Sequence, residues 1–244
     1  MKKVINFSGG KTSALMTIME YEQNDIVIFC DTGREHPKTY KFINDFEAHE
    51  NIPIIRLQYE NGFEGMLKKW GNGNYGKKIP NHFKRQCTIE LKVKTARRYL
   101  KSIKLNEYNN LIGFRYDEPN RVKRHIEKYK KVKTIFPLYE KKITKEYVNN
   151  FWSKKPYNLE IPPILGNCTL CFMKGKNAIL SILTSFPELA EPWIKDEEAS
   201  EKFFGHTYLP GIKIKTLKSI AENNLFKNYD LDNIKPAYDC ACTS

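Results

Sequence analysis

The stretch that most constrains the fold lies near the start of the chain, where an apolar run, a glycine-rich turn and a helical pattern follow one another. The run Lys3-Val4-Ile5-Asn6-Phe7 is typical of a buried strand, and residues 14–19 have the apolar character of a helix. The turn between them consists of Ser8, Gly9, Gly10, Lys11, Thr12 and Ser13. A strand, a tight turn and a helix together present backbone N–H groups and the positive end of a helix dipole to an anion.

The composition of this glycine-rich turn (residues 8–13) favours a phosphate ligand. Two adjacent glycines let the backbone approach an anion closely, hydroxyl side chains add donors, and Lys11 adds a positive charge. An ordinary βα turn is the alternative interpretation. The kinase-type P-loop does not fit, because Ile5 stands where that motif requires a glycine.

Strand and helix patterns alternate along the first 139 residues. Residues 25–30 form a continuous apolar run that ends at Asp31, Thr32 and Gly33, and residues 52–57, 110–114 and 134–138 predict further strands. The alternation predicts an α/β fold with a doubly wound, mostly parallel sheet. Open sheets of this kind bind ligands at the carboxyl ends of their strands, which is where Asp31 falls.

The rest of the chain predicts a smaller, helical part. Residues 60–82 are rich in glycine and asparagine and predict a surface loop. From about residue 140 onward the patterns are helical. We expect residues 1–139 to form the α/β core, and residues 140–244 to form a helical cap that carries cysteines and packs on that core.

Charge and hydropathy limit the classes of partner. The 244 residues carry a formal net charge of +13, which favours nucleotides, nucleic acids or acidic proteins as partners. A solvated, lysine-rich surface is the alternative interpretation. No apolar run is long enough to span a bilayer, and the chain enters its first strand directly. We therefore expect a cytoplasmic protein with no membrane partner.

Five of the six cysteines have a spacing that suits a metal centre. Cys168 and Cys171 form a C-x-x-C pair, Cys240 and Cys242 form a C-x-C pair, and Cys87 stands alone. Thiolates at these spacings suit zinc or an iron–sulfur cluster, with unbound thiols as the alternative. Cys30 lies within an apolar run, where we expect it to serve in packing.

Three motifs in register carry a family resemblance. The glycine-rich turn resembles the pyrophosphate loop (PP-loop) of the PP-loop ATP pyrophosphatases. Asp31-Thr32-Gly33, with His36-Pro37 and Thr39-Tyr40 after it, is similar to a signature of the phosphoadenosine-phosphosulfate (PAPS) reductase branch. The segment from Gly113 to Arg121, with Arg115 between them, resembles the Gly-x-Arg…Arg segment of the same branch. The set, together with the segment Asn167-Cys168-Thr169-Leu170-Cys171-Phe172, resembles most closely the small PAPS-reductase-like proteins of phages and prophages.

The resemblance implies an adenine-nucleotide α-hydrolase-like fold and a three-sided nucleotide site. The glycine-rich turn would hold the phosphates of ATP or PAPS. Asp31 would lie near the ribose or a bound Mg²⁺, with a helix N-cap as its alternative role. Arg115 and Arg121 would clamp a phosphate or sulfate, since guanidinium groups present a fork of donors to oxyanions. Their alternative role is ion pairing with Asp117 and Glu118.

The resemblance also implies a [4Fe–4S] cluster, held by Cys87, Cys168, Cys171 and Cys240, with zinc as the alternative and Cys242 as a competing fourth ligand. Cys240 is in addition a candidate catalytic thiol, by analogy with a Glu-Cys-Gly motif of the branch. Lys92 would stabilise the charge of the cluster or the nucleotide, unless it is a solvated lysine.

The resemblance implies an enzyme of sulfur chemistry. It would release sulfite reductively from adenylyl sulfate or PAPS, or link adenylation by ATP to sulfur transfer. A thiol or sulfur-donor protein would be a partner, and the positive net charge of the surface makes nucleic acid a candidate substrate. The chain departs from the family at Thr12, where the usual loop has an aspartate. The function alternative is a nucleic-acid-binding or nucleic-acid-modifying protein with a structural metal and no nucleotide turnover.

Overall fold

The computed structural model describes residues 1–71, 78–81, 84–129, 132–162 and 164–225. Their centre is a five-stranded sheet in the order β3-β2-β1-β4-β5, in which every neighbouring pair of strands is parallel. The strands are β1 (Lys3–Asn6), β2 (Ile26–Asp31), β3 (Ile55–Gln58), β4 (Asn109–Leu111) and β5 (Thr134–Ile135). The predicted α/β fold with a doubly wound parallel sheet is confirmed.

Ten α-helices lie in the described part of the chain. They are α1 (Lys11–Glu20), α2 (Pro37–Glu50), α3 (Gly62–Trp70), α4 (Thr95–Ser102), α5 (Pro119–Lys128), α6 (Pro137–Glu140), α7 (Lys145–Ser153), α8 (Lys176–Ser185), α9 (Glu191–Phe204) and α10 (Ile214–Glu222). A π-helical segment, Thr88–Lys94, leads directly into α4, and two 3₁₀ turns lie at Phe172–Lys174 and Pro187–Ala190. None of the described helices combines the length and the apolar character that crossing a membrane requires.

The two faces of the sheet are covered by different helices. On one face, Ile5 of β1 packs in a cluster with Phe42 of α2 and Trp152 of α7. The indole N–H of Trp152 also donates to the carbonyl of Lys11 at 2.8 Å, which ties α7 to the start of α1. On the other face, Val4 of β1 packs with Leu100 of α4. Successive residues of β1 thus face opposite layers, as the period of two requires.

A second hydrophobic cluster lies beside the sheet and joins α3 to the C-terminal helices. Phe63 and Leu67 of α3 pack there with residues such as Leu180 of α8, Trp193 of α9 and Leu217 of α10. Helices predicted for the cap therefore form a helical unit, whereas α7 packs on the sheet. The division of the chain at residues 139 and 140 stays a prediction.

The prediction of a surface loop at residues 60–82 is wrong where α3 forms. Phe63, Met66, Leu67 and Trp70 recur at helical spacing and give the segment an apolar face, of which Phe63, Met66 and Leu67 are buried. A prediction based on composition gives weight to the glycines at positions 62 and 65, and it therefore favours a loop over a helix. Residues 72–77 and 82 of the same stretch lie outside the described residues.

Candidate functional site: a nucleotide pocket beside a cysteine pocket

The glycine-rich turn connects β1 to the N-terminus of α1. Gly9 has φ = 77°, a left-handed conformation that favours glycine. A Cβ atom on Gly9 would lie 2.6 Å from the Cγ2 atom of Thr39, which is fully buried on α2. Backbone conformation and close packing therefore both require glycine at this position.

Hydroxyl groups fix the shape of the turn from inside. The Oγ atom of Ser13 accepts from the backbone N–H of Ser8 at 3.0 Å and donates to the carbonyl of Gly10 at 3.0 Å. It also lies 2.9 Å from the Ser8 Oγ atom, which must be the donor because the proton of Ser13 is engaged. No described residue accepts a hydrogen bond from the backbone N–H of Gly9 or Gly10. These two donors are available to an anion.

Asn167, to which the sequence analysis assigned no role, holds the outer side of the turn. Its buried side chain donates from Nδ2 to the carbonyl of Ser8 at 2.6 Å. Its own carbonyl accepts from the backbone N–H of His36 at 2.6 Å. The next residue, Cys168, forms an antiparallel bridge with Glu35. Residues 167 and 168 thus link the loop after β1 to the loop after β2.

The Asp31 side chain shapes the loop after β2. Its Oδ1 atom accepts from the backbone N–H of Gly33 at 2.8 Å and from the hydroxyl of Tyr40 at 2.8 Å. Burial, together with the hydrogen bond to Asp31, raises the pKa of Tyr40 far above its ordinary value, so this hydroxyl remains a donor. The N-cap of α2 is His36, whose ring accepts from the backbone N–H of Lys38. Thr32, also in this loop, donates to Glu35 at 3.0 Å.

The loop after β4 lies against the start of α1. A Cβ atom on Gly113 would lie 3.4 Å from the Cα atom of Ser13, so glycine permits this approach. Arg115 is only 1% exposed, and its guanidinium group donates to Asp117 at 2.9 Å and to the Thr12 hydroxyl at 3.3 Å. Arg115 therefore connects the loop after β4 to Thr12 of the glycine-rich turn.

Arg121 lies in the first turn of α5 and is also engaged by carboxylates. It pairs with Glu118 at 2.6 Å, and its guanidinium carbon lies 4.3 Å from the centre of the Phe114 ring. The structure thus brings the glycine-rich turn together with the Gly113 to Arg121 segment. The predicted phosphate-binding roles of Arg115 and Arg121 stay predictions, and each ion pair adds a structural role.

A pocket of about 860 Å³, including the solvent at its mouth, lies between α4 and α5 on one face of the sheet. Ser8 of the glycine-rich turn and the preceding Phe7 line this pocket, and Cys30, Arg97 and Tyr129 are among its other lining residues. β1 lies at the centre of the strand order, with β2 on one side and β4 on the other, so the pocket opens at the position where such sheets bind ligands.

Cys30 offers a chemical probe of this pocket. Burial raises the pKa of its thiol from the ordinary value of 9.0 to about 11. At pH 8 we expect iodoacetamide to alkylate Cys30 about a hundredfold more slowly than an exposed cysteine, because the thiolate is the nucleophile. The rate should rise as the pH approaches 11 and should fall when a nucleotide fills the pocket. Peptide mass spectrometry measures it, and an ordinary rate at pH 8 would contradict the described burial.

Three of the predicted metal ligands line a second, smaller pocket, which is called the cysteine pocket below. Cys87, Cys168 and Cys171 lie around it, together with Lys92 and Trp193. Among the described residues, no group of three or more His, Cys, Asp or Glu side chains is arranged to hold a metal ion. Cys240 and Cys242 lie outside the described residues. Three thiols line this pocket and the chain carries a further cysteine pair, so the donor types fit an iron–sulfur cluster, whereas the described side chains are not arranged around a metal position.

Lys92 separates the two pockets and lines both. It belongs to the π-helical segment, its side chain is 17% exposed, and its Nζ atom lies 4.0 Å from a carboxylate oxygen of the buried Glu35. The carbonyl of Lys92 accepts a long hydrogen bond from the Cys30 thiol at 3.6 Å. One positive charge is therefore placed between the candidate nucleotide pocket and the cysteines.

The doubly wound sheet, the glycine-rich turn and the pocket beside it define a nucleotide-binding type of α/β protein. A family model, the phosphoadenosine phosphosulfate reductase domain, matches residues 2–165, and the chain belongs to this family. The resemblance stated from the sequence is confirmed.

Similar proteins come from a phage and from an archaeon. The chain is 30% identical over 211 residues to the uncharacterized nin region protein ORF290 of Escherichia phage lambda, with 73% of this chain and 68% of that protein covered. Two Methanocaldococcus jannaschii proteins, MJ0066 and MJ0973, are each 28% identical over 78% and 89% of this chain, which spans 40% and 54% of their lengths. A phosphoadenylyl-sulfate reductase crystal structure from Candida auris, a phosphate complex, matches with 20% identity and a TM-score of 0.43, covering 65% of this chain and 75% of that chain.

Proposed function

We propose that this protein is an enzyme that binds an adenine nucleotide, ATP or PAPS, and uses it in sulfur chemistry. One observation carries the proposal: two backbone donors in the glycine-rich turn have no acceptor among the described residues, and Ser8 of that turn lines a pocket between α4 and α5. The phosphates would bind Gly9, Gly10 and the start of α1. The adenosine would lie between α4 and α5.

Two reactions use such a site. In the first, a thiolate attacks the sulfur of adenylyl sulfate or PAPS, the bond from sulfur to the nucleotide oxygen breaks, and a second thiol then displaces sulfite. Cys240 is the proposed nucleophile, by the resemblance stated above. In the second, a substrate oxygen attacks the α-phosphorus of ATP and displaces pyrophosphate, and a sulfur donor then displaces AMP. Asp31 would help to hold Mg²⁺ for the second reaction.

One experiment separates these reactions. Purified protein is incubated with ATP or with PAPS, in the presence of a thiol reductant, and pyrophosphate and sulfite are both assayed. Sulfite from PAPS supports the reductive reaction, whereas pyrophosphate from ATP supports adenylation. If neither nucleotide binds or reacts, the proposal fails.

The cysteine pocket supports a second part of the proposal, a [4Fe–4S] cluster held by Cys87, Cys168, Cys171 and Cys240. Such a cluster carries single electrons, and Lys92 would offset its negative charge. Zinc bound by the same thiols is the alternative.

Spectroscopy and metal analysis distinguish these metals. Anaerobically purified protein is expected to contain iron and sulfide and to absorb visible light, and Cys168→Ser should lower the iron content at least severalfold. Cys30→Ser is the matched control, because Cys30 lies in the other pocket, and it should retain the iron. Colourless protein with stoichiometric zinc would refute the cluster.

A further inference from the structure

The cations on α4 and α5 are set apart by their position beside the nucleotide pocket, since exposed cations without an ion pair among the described residues, such as Lys69, Lys176 and Lys195, also lie on other helices. Several lysines elsewhere pair with carboxylates, for example Lys41 with Asp45 and Lys218 with Glu191. On α4 and α5, some exposed cations have no carboxylate within ion-pair distance in the part of the chain that is described. They are Arg97, Lys101, Lys123, Arg124 and Lys128. These five residues are called the basic surface below.

The basic surface lies on the two helices that border the nucleotide pocket. Arg97 lines the pocket directly, and Lys101 follows it at a spacing of four on the same side of α4. On α5, the pocket-lining His125 has Lys128 three residues further on. The sequence of α4 contains three cations and no acidic residue. Exposed cations that have no carboxylate within ion-pair distance among the described residues are therefore found on both helices beside the pocket, and Glu127 is the exposed acidic residue of α5.

We infer that the basic surface binds the phosphodiester backbone of a nucleic acid strand and presents that strand to the nucleotide pocket. The inference rests on the proposed function for the role of the pocket itself. Arg124 and Lys128 lie at a spacing of four on one side of α5, about 6 Å apart along the helix axis, which is close to the rise of two nucleotides on one strand. A strand that follows α5 would meet several of these cations in succession, and its bases would reach the space between the helices.

In the proposed adenylation reaction, this strand would be the substrate. A nucleotide in the pocket would have its phosphates at the glycine-rich turn, and the adenylation reaction needs an acceptor that carries a nucleophilic oxygen. A nucleobase carbonyl has that chemistry. An acidic protein would satisfy the charge but would supply no repeated phosphate for cations on both helices.

Binding to labelled oligonucleotides tests the inference. Fluorescence anisotropy is measured with single-stranded DNA, single-stranded RNA of the same sequence and duplex DNA, between 50 and 200 mM salt. The wild type should bind at least one of them, more weakly as the salt rises. The triple variant K123A/R124A/K128A should lose about tenfold or more in affinity, and the slope of log K against log salt should fall by about 2, since each lost phosphate contact removes about 0.7–0.9.

A matched triple variant controls for the change in net charge. K213A/K215A/K218A also removes three positive charges, but from the α10 region, where each lysine pairs with a carboxylate. It should leave the affinity for oligonucleotides within about twofold of the wild type. Equal weakening by the two triple variants, absence of binding by the wild type, or equally effective displacement by polyglutamate would overturn the inference.

Nucleotide binding separates this inference from the proposed function. Equilibrium dialysis with ATP and PAPS is run on the wild type and on both triple variants. If the wild type binds a nucleotide but no oligonucleotide, the inference is overturned and the proposed function is not. Binding of oligonucleotides without either nucleotide would overturn the proposed function and would leave the basic surface as a binding site.

Discussion

Gly9→Ala is expected to lower the free energy of unfolding by about 3 kcal/mol and to weaken nucleotide binding at least tenfold. About 1–2 kcal/mol comes from placing a side chain in the left-handed region, and overpacking against Thr39 adds about 1–3 kcal/mol. The turn can relieve the contact only by moving its backbone, and that movement redirects the N–H groups of Gly9 and Gly10. Urea denaturation and equilibrium dialysis measure the two effects.

Gly205→Ala is the matched control for Gly9→Ala. Gly205 also has a positive φ, 61°, but a Cβ atom there would meet no atom within 4 Å. The control should therefore show the conformational cost alone, about 1 kcal/mol, with unchanged nucleotide affinity. Equal destabilisation by the two substitutions would refute the close packing against Thr39, and unchanged nucleotide affinity in Gly9→Ala would count against a phosphate at this turn.

Asn167→Asp is expected to weaken nucleotide binding by a larger factor than Asn167→Ala does. The alanine variant removes the hydrogen bond to the Ser8 carbonyl and leaves that acceptor without this donor, a loss of about 1–3 kcal/mol in stability. The aspartate variant loses the same donor and adds a negative charge beside the turn. That charge would repel the phosphates of a nucleotide, so we expect at least tenfold weaker binding than in the alanine variant.

Asn223→Asp provides the control for a bare change of charge. Asn223 is exposed at the end of α10, and the same substitution there should leave nucleotide affinity unchanged. Affinities are measured at low and high salt, since a charge effect is weaker when it is screened. If Asn167→Asp and Asn167→Ala bind the nucleotide equally well, the phosphates do not lie near Asn167.

Much of the sheet could be predicted from the sequence, because buried parallel strands read as continuous apolar runs. The prediction at residues 25–30 matches β2 to within one residue at each end. The predicted strand at 110–114 overlaps β4 only in part, because β4 ends at Leu111 and the chain then bends toward Arg115. The helix α3 was missed, since two glycines outweighed an apolar pattern that becomes visible only at helical spacing.

The candidate site shows a similar division between what patterns reveal and what packing adds. Glycine motifs at strand ends could be found, because the backbone conformation at Gly9 requires that residue type locally. The burial of Arg115 could not be predicted from the sequence, since its partner Thr12 is far away along the chain. An aspartate in place of Thr12, as in the usual loop, would make this contact an ion pair.

Asn167 carried a sequence signal that went unused. It precedes Cys168 directly, within the segment that resembles phage PAPS-reductase-like proteins, and its role depends on a contact with Ser8 across 159 positions. No periodicity or composition reveals such a contact. Cys87, Cys168 and Cys171 line one pocket, and their role as metal ligands stays a prediction from the resemblance. The structure adds that Lys92 lines both this pocket and the nucleotide pocket.

Direct binding of nucleotide tests whether the glycine-rich turn holds the phosphates of an adenine nucleotide. Equilibrium dialysis of the wild-type protein with radiolabelled ATP and PAPS gives the stoichiometry and the competition between ligands. We expect saturable binding of at least one of them at one site per chain, displaced by the same unlabelled nucleotide and by pyrophosphate, weakened at least tenfold in Gly9→Ala and unchanged in Gly205→Ala. The absence of saturable binding of both nucleotides, or binding that Gly9→Ala leaves unchanged, would contradict that role of the turn.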